Sequence, residues 1–303
     1  MACRNIAISE ICSKLDLSMF GKDVLINGLN LCNRRSTHQN ILTYVTSNDY
    51  IDDIMHNQAV VAVVLSKEAV DEYESALAER QICFIVNDFP EKAFYDIHDY
   101  LFYQTDFYER YDFEKVVGED VHIAPSAVIE DGVIIGNRVC IGANTVVRHG
   151  TVIEDDCIIG CNTTIGSEGF QVLRIADKNR KIVHVGGVLI KEKVSIGDNV
   201  CVCNSLFEDV SKIGENVKID NLCYVAHNVV IGNNAVITAG CMLCGSSVID
   251  EGAWIGVNSS VMNRVEVGND STVGMGSVVT RDIPDHSLAY GVPAKIKEVS
   301  YTI

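Results

Sequence analysis

Proton transfer near neutral pH is available to this chain through its histidines, because imidazole is the side chain that titrates there. The sequence has 8 histidines: His38, His56, His98, His122, His149, His184, His227 and His286. His227 stands between Ala226 and Asn228, and the polar pair Asp220-Asn221 comes about one repeat unit earlier. A histidine in such a polar setting can act as a general base that removes a proton from an attacking nucleophile.

Metal binding is the alternative use of histidine and cysteine. His122, His149 and His227 are scattered along the chain without the clustered spacing that convergent ligands need. Cys241 and Cys244 form a single CxxC pair, and no second well-spaced pair stands nearby. We therefore expect no metal site.

The composition excludes several classes of protein. The chain of 303 residues has 24 Lys+Arg against 41 Asp+Glu, a formal charge of −17. Such acidity argues against general nucleic-acid binding, because phosphates require a basic field. The 12 cysteines indicate reduced thiols, and the apolar runs are too short to cross a membrane. We expect a cytoplasmic protein without a transmembrane segment.

The first part of the chain has the pattern of an α/β domain. A β-branched run over 59–65 is followed by Ser66, a helix cap, and a second apolar run over 82–86 is followed by Pro90 in the first turn of a helix. Aromatic residues are concentrated over 94–113. We predict a nucleotide-binding-like α/β domain over residues 1–115 with a partly parallel sheet and this aromatic segment as its link to the rest.

The second part is a repeat of six residues. The first position of each hexad holds Ile, Val or Leu in every case: Ile123, Ile129, Ile135, Ile141, Val147, Ile153, Ile159, Ile165, Ile190, Ile196, Val202, Ile213, Ile219, Val225, Ile231, Ile237, Leu243, Ile249, Ile255, Val261, Val267, Val273 and Val279. In a parallel β-helix each hexad forms a short strand and a turn, and three hexads close one coil. We predict a left-handed parallel β-helix over residues 116–283, with seven to eight coils, and a C-terminal tail over 284–303.

Two interruptions break the repeat. Between Ile165 and Ile190 the chain leaves the register through the segment 166–170. A long loop on a rigid scaffold is usually functional, so we expect it to cover a substrate, with Phe170 in contact. Between Val202 and Ile213 we interpret the change of spacing as a slip of one residue in register.

Residues 18 apart stack in adjacent coils, about 4.8 Å from one another. His227 therefore stacks under Gly245, and Gly245 under Asn263. The third hexad position, which His227 occupies, falls at turns, so we expect the imidazole to face outward rather than into the core. A backbone N–H near Gly245 then lies where an oxyanion could form.

The most specific motifs resemble those of LpxD, the family of UDP-3-O-acylglucosamine N-acyltransferases of lipid A synthesis. The resemblance is carried by the segment 165–170 and by the block 218–232, which contains KIDN and AHN. It implies that His227 is the general base and that Gly245 contributes the oxyanion donor. It also implies that Asp220 tunes the imidazole, whereas Asn221 contacts the substrate.

The resemblance extends into the first domain. The segment 43–50 resembles the family's uridine-binding stretch, in which two aromatic rings flank the base; Tyr44 and Tyr50 match those rings. Ser47 stands where the family has an asparagine that contacts uracil. A second functional histidine of the family falls at Asn263 or Arg264 here, and we assign Asn263 to the substrate site. The resemblance further implies a homotrimer with sites between neighbouring subunits.

The end of the chain resembles a different branch. The segment 290–295, which reads YGVPAK, resembles the coenzyme A-dependent acetyl- and acyltransferases that act on nucleotide amino sugars. We therefore expect acyl-CoA as a co-substrate and no permanently bound cofactor. The residues that could meet its phosphates or its pantetheine arm are Gly274, Gly276, Arg281, Lys295 and Lys297.

The preferred function is accordingly N-acylation of a nucleotide-linked amino sugar from an acyl-CoA, as in dTDP-amino sugar pathways such as anthrose synthesis. The alternative is the lipid A enzyme, which takes its acyl group from acyl carrier protein. A third hypothesis is a non-catalytic β-helix subunit used for assembly. A nucleotidyltransferase is excluded, because the first domain lacks a glycine-rich phosphate loop.

Overall fold

A computed structural model describes residues 4–33, 38–47, 50–108, 110–175, 177–207 and 209–297. The chain forms two compact units. The first comprises Met1–Arg110, Gln171–Val185 and Phe207–Asp209, and the second comprises Tyr111–Phe170, Gly186–Leu206 and Val210–Ile303. Within the described ranges, every helix is too short or too polar to span a lipid bilayer.

The first unit is an α/β fold. Its elements in Met1–Arg110 are β1 (Ile6–Ala7), α1 (Ile8–Leu15), β2 (Ser18–Phe20), β3 (Leu25–Ile26), β4 (Gly28–Leu29), β5 (Ile41–Tyr44), α2 (Ile51–His56), β6 (Val60–Leu65), α3 (Lys67–Glu79), β7 (Cys83–Val86) and α4 (Pro90–Gln104). The main sheet has the order β2-β7-β6-β5-β4. Only β2 runs antiparallel to its neighbour, and β1 pairs with β3 separately. The predicted partly parallel sheet is confirmed.

Local sequence signals account for these elements. Strand β6 is buried along almost its whole length, as a continuous β-branched run in the middle of a parallel sheet should be. The Ser66 hydroxyl accepts a hydrogen bond from the Ala69 N–H and caps α3. Pro90 begins α4, where a missing N–H is harmless.

A later hairpin completes the first unit. Its strands, Val172–Ile175 and Lys178–Lys181, pair antiparallel. Arg180 donates hydrogen bonds to Asp96 Oδ1 at 2.6 Å and to Asp99 Oδ2 at 2.5 Å, both on α4. These ion pairs fix the hairpin against α4.

The second unit is a triangular β-helix whose three faces are parallel sheets. The first face contains Val116–Val117, Ile134–Ile135, Thr151–Ile153, Gly187–Ile190, Val210–Ile213, Val230–Ile231, Val248–Ile249 and Glu266–Val267. The second face contains His122–Ile123, Cys140–Ile141, Ile158–Ile159, Ser195–Ile196, Lys218–Ile219, Val236–Ile237, Trp254–Ile255, Thr272–Val273, Leu288–Tyr290 and the antiparallel Lys295–Lys297. The third face contains Val128–Ile129, Val146–Val147, Thr164–Ser167, Cys201–Cys203, Tyr224–Val225, Met242–Leu243, Ser260–Val261 and Val278–Val279.

The predicted hexad register sets this architecture. The first residues of the hexads point inward and form one continuous core, in which only Ile123 and Ile129 at the first coils are half-buried. The fourth residues often adopt a left-handed backbone, and Asn is common among them because its side chain tolerates that conformation. The eight strands of the first and third faces agree with the predicted seven to eight coils.

Both interruptions are insertions at one corner. We call this the third corner; there the chain passes from the third face to the first, whereas the second corner joins the second face to the third. Ile153 pairs with Ile190 and Ile190 pairs with Ile213, steps of 37 and 23 residues instead of the 18 seen elsewhere. The interpretation of the second interruption as a one-residue slip is therefore wrong: five residues are inserted while strand pairing continues unchanged.

Candidate active site

The third corner brings three of the predicted site residues into one column. His227, Gly245 and Asn263 follow the successive third-face strands Tyr224–Val225, Met242–Leu243 and Ser260–Val261. Backbone hydrogen bonds join the coils: the Ser246 N–H donates to the His227 carbonyl at 3.0 Å, and the Arg264 N–H donates to the Gly245 carbonyl at 3.2 Å. The predicted stacking is confirmed.

The imidazole of His227 lies against the backbone of Gly245. A Cβ atom placed on Gly245 would be 2.7 Å from both Cε1 and Nε2 of the ring. The third-corner position is outside the hydrophobic core, as expected, but His227 is only 8% exposed. The ring therefore faces out of the core, as predicted, but it is largely shielded from solvent, which the sequence did not predict.

Asn228 contacts His227 through its side-chain amide, and the sequence reasoning missed this contact. Its Oδ1 lies 3.0 Å from His227 Nδ1 and also accepts the Leu206 N–H at 3.0 Å. Its Nδ2 donates to Ser205 Oγ at 2.5 Å. The five-residue departure from the period was the available signal, since Ser205 and Leu206 both belong to that insertion.

Asp220 and Asn221 lie at the second corner, after the strand Lys218–Ile219 of the second face. Asp220 Oδ1 accepts the Asn221 N–H at 2.7 Å, and Asn221 Oδ1 accepts the Asp198 N–H of the preceding coil at 2.6 Å. Both residues are exposed. A single chain therefore places these two residues and His227 at opposite edges of the third face.

The predicted nucleotide residues lie in the first unit at the carboxyl end of β5. Tyr44 is half-buried, with its ring centroid 4.9 Å from that of Phe94, and its hydroxyl donates to Glu91 Oε1 at 3.1 Å. Burial is the main cause that raises the Tyr44 pKa, so the phenol stays protonated. Ser47 is exposed, and its carbonyl accepts the Tyr50 N–H at 3.3 Å.

The remaining predicted residues are spread over the second unit. Phe170 is 72% exposed at the start of the long insertion, and Arg281 is exposed at the third corner, in the column of His227. Gly274 and Gly276 follow the strand Thr272–Val273 at the second corner.

The two C-terminal lysines lie on the second face. Lys295 and Lys297 belong to its last strand, and the ammonium of Lys297 lies 5.5 Å from the ring centroid of Tyr290. One chain therefore does not collect the expected phosphate partners at a single place. Among the described residues, no group of three or more His, Cys, Asp or Glu side chains is arranged to hold a metal ion.

The six-residue repeat and the three parallel sheets make the second unit a β-helix of the hexapeptide-repeat class. The family model described as bacterial transferase hexapeptide (six repeats) matches residues 114–149, 211–245 and 246–281. A second model, hexapeptide repeat of succinyl-transferase, matches residues 132–167. The left-handed parallel β-helix and the predicted repeat are confirmed.

Relatives of known name confirm the resemblance to the LpxD family. The UDP-3-O-acylglucosamine N-acyltransferase of Methylorubrum extorquens (strain PA1) is 37% identical over 131 residues, which cover 43% of this chain and 37% of that protein. The enzyme of the same name from Campylobacter lari is 30% identical over 135 residues, covering 44% of this chain and 42% of that protein. The chain thus matches less than half of the length of these relatives.

Solved structures share the fold. The UDP-N-acetylglucosamine acyltransferase from Campylobacter jejuni superimposes with a TM-score of 0.54 at 23% identity, over 61% of this chain and 70% of that chain. LpxA from Bacteroides fragilis gives a TM-score of 0.53 at 24% identity, over 63% of this chain and 71% of that chain. At this identity the likeness establishes the β-helix architecture.

Proposed function

We propose that this protein is an N-acyltransferase that moves an acyl group from a thioester to the amino group of a nucleotide-linked glucosamine-type sugar. The observation that carries the proposal is the placement of the His227 ring against Gly245 at the third corner. The Gly245 N–H donates to no acceptor among the described residues, so it is available to a ligand.

The chemistry follows from these two groups. His227 Nε2 takes the proton from the sugar amine while the nitrogen attacks the thioester carbonyl and forms the new C–N bond. The carbonyl oxygen becomes an oxyanion, which the Gly245 N–H stabilises. When the tetrahedral intermediate collapses, the C–S bond breaks and the thiolate leaves with the proton that His227 returns.

The nucleotide of the acceptor is assigned to the first unit. Ligands of open α/β sheets bind at the carboxyl ends of the parallel strands, and Tyr44, Ser47 and Tyr50 lie at that end of β5. The half-buried ring of Tyr44 is held by Glu91 and Phe94, so it can stack on a base without losing much side-chain freedom.

The names of the relatives favour the alternative acceptor, a UDP-linked 3-O-acylglucosamine, over a dTDP-linked amino sugar. We assign the donor to the thioester class that includes acyl-CoA and acyl carrier protein. For coenzyme A, Arg281, Lys295 and Lys297 supply the cations, and Gly274 and Gly276 supply close backbone approach.

We also propose that the active form is a homotrimer assembled through the third face. The outward-facing residues of its strands are uncharged in every coil: Val128, Val146, Thr164, Cys201, Tyr224, Met242, Ser260 and Val278. By contrast, the first face presents Lys212 and Glu266, and the second presents Lys218. A chain of charge −17 repels its copies unless they meet through such a face.

Threefold symmetry would bring together the second and third corners, which lie at opposite edges of the third face in one chain. When three prisms turn the same face toward a common axis, the third corner of each copy meets the second corner of the next. His227 of one copy then lies beside the second corner of its neighbour, which carries the Asp220 and Asn221 pair. The predicted tuning of the imidazole by Asp220 is thereby assigned to a contact between copies.

The test is a matrix of acceptors and donors. UDP-3-O-acylglucosamine and a dTDP-linked amino sugar are each incubated with an acyl-CoA and with an acylated acyl carrier protein, and the N-acylated product is measured by mass spectrometry. We expect turnover with the UDP-linked acceptor that disappears in His227→Ala. Absence of product in all four combinations, together with no rise in melting temperature with coenzyme A or either sugar nucleotide, would support the non-catalytic hypothesis.

A further inference from the structure

The orientation of the Asn228 amide is determined by its contacts. The atom facing the Leu206 N–H at 3.0 Å must be the oxygen, because a backbone N–H can only donate. The opposite atom donates to Ser205 Oγ, as an amide nitrogen should. The amide therefore has one allowed orientation, with Oδ1 directed at the His227 ring.

This orientation also determines the proton on the imidazole. Asn228 Oδ1 is an acceptor only, and it lies 3.0 Å from His227 Nδ1. Nδ1 must therefore carry the hydrogen in the neutral ring, which leaves Nε2 with the lone pair. Nε2 is the nitrogen that lies against Gly245, so the basic atom faces the corner where the amine must arrive.

Asn228 differs from the other asparagines that occupy the same turn position. It has the usual left-handed backbone, with φ of 60°. In two other cases the amide bonds to its equivalent in the next coil: Asn144 Nδ2 donates to Asn162 Oδ1 at 3.2 Å, and Asn216 Nδ2 donates to Asn234 Oδ1 at 2.9 Å. The Asn228 amide is instead turned toward His227 and the five-residue insertion.

The residues of the five-residue insertion around the Asn228 amide are themselves buried and hydrogen-bonded to the backbone. Ser205 is fully buried; its N–H donates to the Gly187 carbonyl at 3.2 Å, and its carbonyl accepts the Gly186 N–H at 3.1 Å. The neighbouring Asn204 accepts the Gly169 N–H at 3.3 Å and donates to the Gly186 carbonyl at 3.1 Å. These hydrogen bonds connect the five-residue insertion to Gly169 and Gly186, which lie near the two ends of the long insertion.

We propose that Asn228, held by Ser205, is a positioning residue that keeps His227 in the Nδ1–H tautomer, so that Nε2 is the basic nitrogen of the neutral ring. The role of Nε2 as the base rests on the proposed function, whereas the tautomer itself does not. The five-residue insertion then has a defined purpose, because a regular hexad turn has no residue in the position of Ser205 to orient the amide.

The tautomer is measured directly by ¹⁵N NMR of protein labelled at histidine, at a pH where the ring is neutral, with the His227 signals assigned by their loss in His227→Gln. In the wild type we expect a protonated Nδ1 and an unprotonated Nε2. Asn228→Ala should move the proton toward Nε2. Asn228→Asp, whose carboxylate also accepts from Nδ1–H, should restore the wild-type pattern.

The kinetic arm uses the acyl-transfer assay with Asn234→Ala as the matched control, since Asn234 has the same turn geometry, with φ of 59°. Asn228→Ala should lower kcat by at least about tenfold with little change in KM, because a wrong tautomer removes the base without removing the substrate. Asn234→Ala should leave both the tautomer and kcat unchanged.

Two results would overturn the inference: an Asn228→Ala protein that keeps the Nδ1–H pattern, or a kcat for it equal to that of Asn234→Ala. A wild-type protein that shows the expected tautomer but transfers no acyl group would instead disprove the proposed function alone.

Discussion

The ring of His227 occupies the space that a side chain on Gly245 would need. A Cβ on Gly245 would lie 2.7 Å from His227 Nε2 and Cε1, closer than van der Waals contact permits. The absence of a side chain at position 245 is therefore what allows the imidazole to lie beneath the next coil with its Nε2 against Gly245.

Gly245→Ala should destabilise the protein by about 1–3 kcal/mol, the usual cost of overpacking, and should abolish acyl transfer by displacing the ring. Denaturant unfolding measures the first effect. In a His227→Ala background the same substitution should cost less than about 1 kcal/mol, because the clashing ring is gone. Equal costs in the two backgrounds would show that the alanine clashes with the backbone and not with the histidine.

His227→Ala should lower kcat by about 10²–10⁴-fold, the scale of general base catalysis. Coenzyme A affinity, measured by calorimetry, should hardly change, because the imidazole does not hold the donor. His149→Ala is the matched control: His149 occupies the same hexad position but is exposed and pairs with Glu130 at 2.8 Å. If His227→Ala regains wild-type rates at alkaline pH, then the histidine orients an amine that arrives already neutral.

Met242→Glu should dissociate the trimer, because it places a carboxylate on the uncharged third face, where Met242 is 44% exposed. Val230→Glu places the same charge on the first face, where Val230 is 37% exposed, and should leave the assembly intact. Light scattering at micromolar concentration gives the mass of each variant. A wild-type monomer under these conditions would contradict the trimer itself.

Tyr50→Ala should raise the KM for the sugar nucleotide about fivefold with little change in kcat, because stacking on a base is worth roughly 1 kcal/mol or more. Tyr44→Phe is a useful companion, since it keeps the ring and removes only the hydrogen bond to Glu91. We expect it to change KM much less. Unaltered kinetics in both Tyr50→Ala and Tyr44→Ala would mean that the first unit does not bind the nucleotide.

His98 should make the stability of the first unit depend on pH. The ring is buried between the Tyr108 hydroxyl at 2.6 Å and the Val183 carbonyl at 3.0 Å, and burial lowers its pKa to about 4. The pKa of a histidine in the unfolded chain is about 6.5, so between about pH 4 and 6.5 the unfolded state binds more protons than the folded state. The free energy of unfolding should fall by at most about 3–4 kcal/mol as the pH falls through this window.

Urea unfolding at a series of pH values tests this dependence, with His98→Gln as the control that cannot titrate. The control should be less stable at pH 7 but should have a flatter profile between pH 6.5 and 4. An equal slope in both proteins would assign the acid sensitivity to other groups.

The architecture was predictable because a single requirement, an apolar residue at every sixth position, is repeated from Ile123 to Val279. The same period places His227, Gly245 and Asn263 in one column, so the centre of the candidate site was predictable as well. The role of Asn228 was not, because its amide is oriented by Ser205 and Leu206 in an irregular segment. The burial of the His227 ring was not predicted either, since the six-residue period shows which residues lie at a corner but not how much solvent reaches them.

The two insertions at the third corner have a consequence for how such proteins change. Strand pairing continues across both of them, with Thr164 opposite Cys201 and Ile190 opposite Ile213. Each coil depends only on its neighbours, so extra chain at a corner leaves the core residues in place and disturbs the pairing only locally, between Ile165 and Ser167. New specificity can therefore arise by lengthening one corner of the prism, while the strands that form the core keep their sequence and their stability.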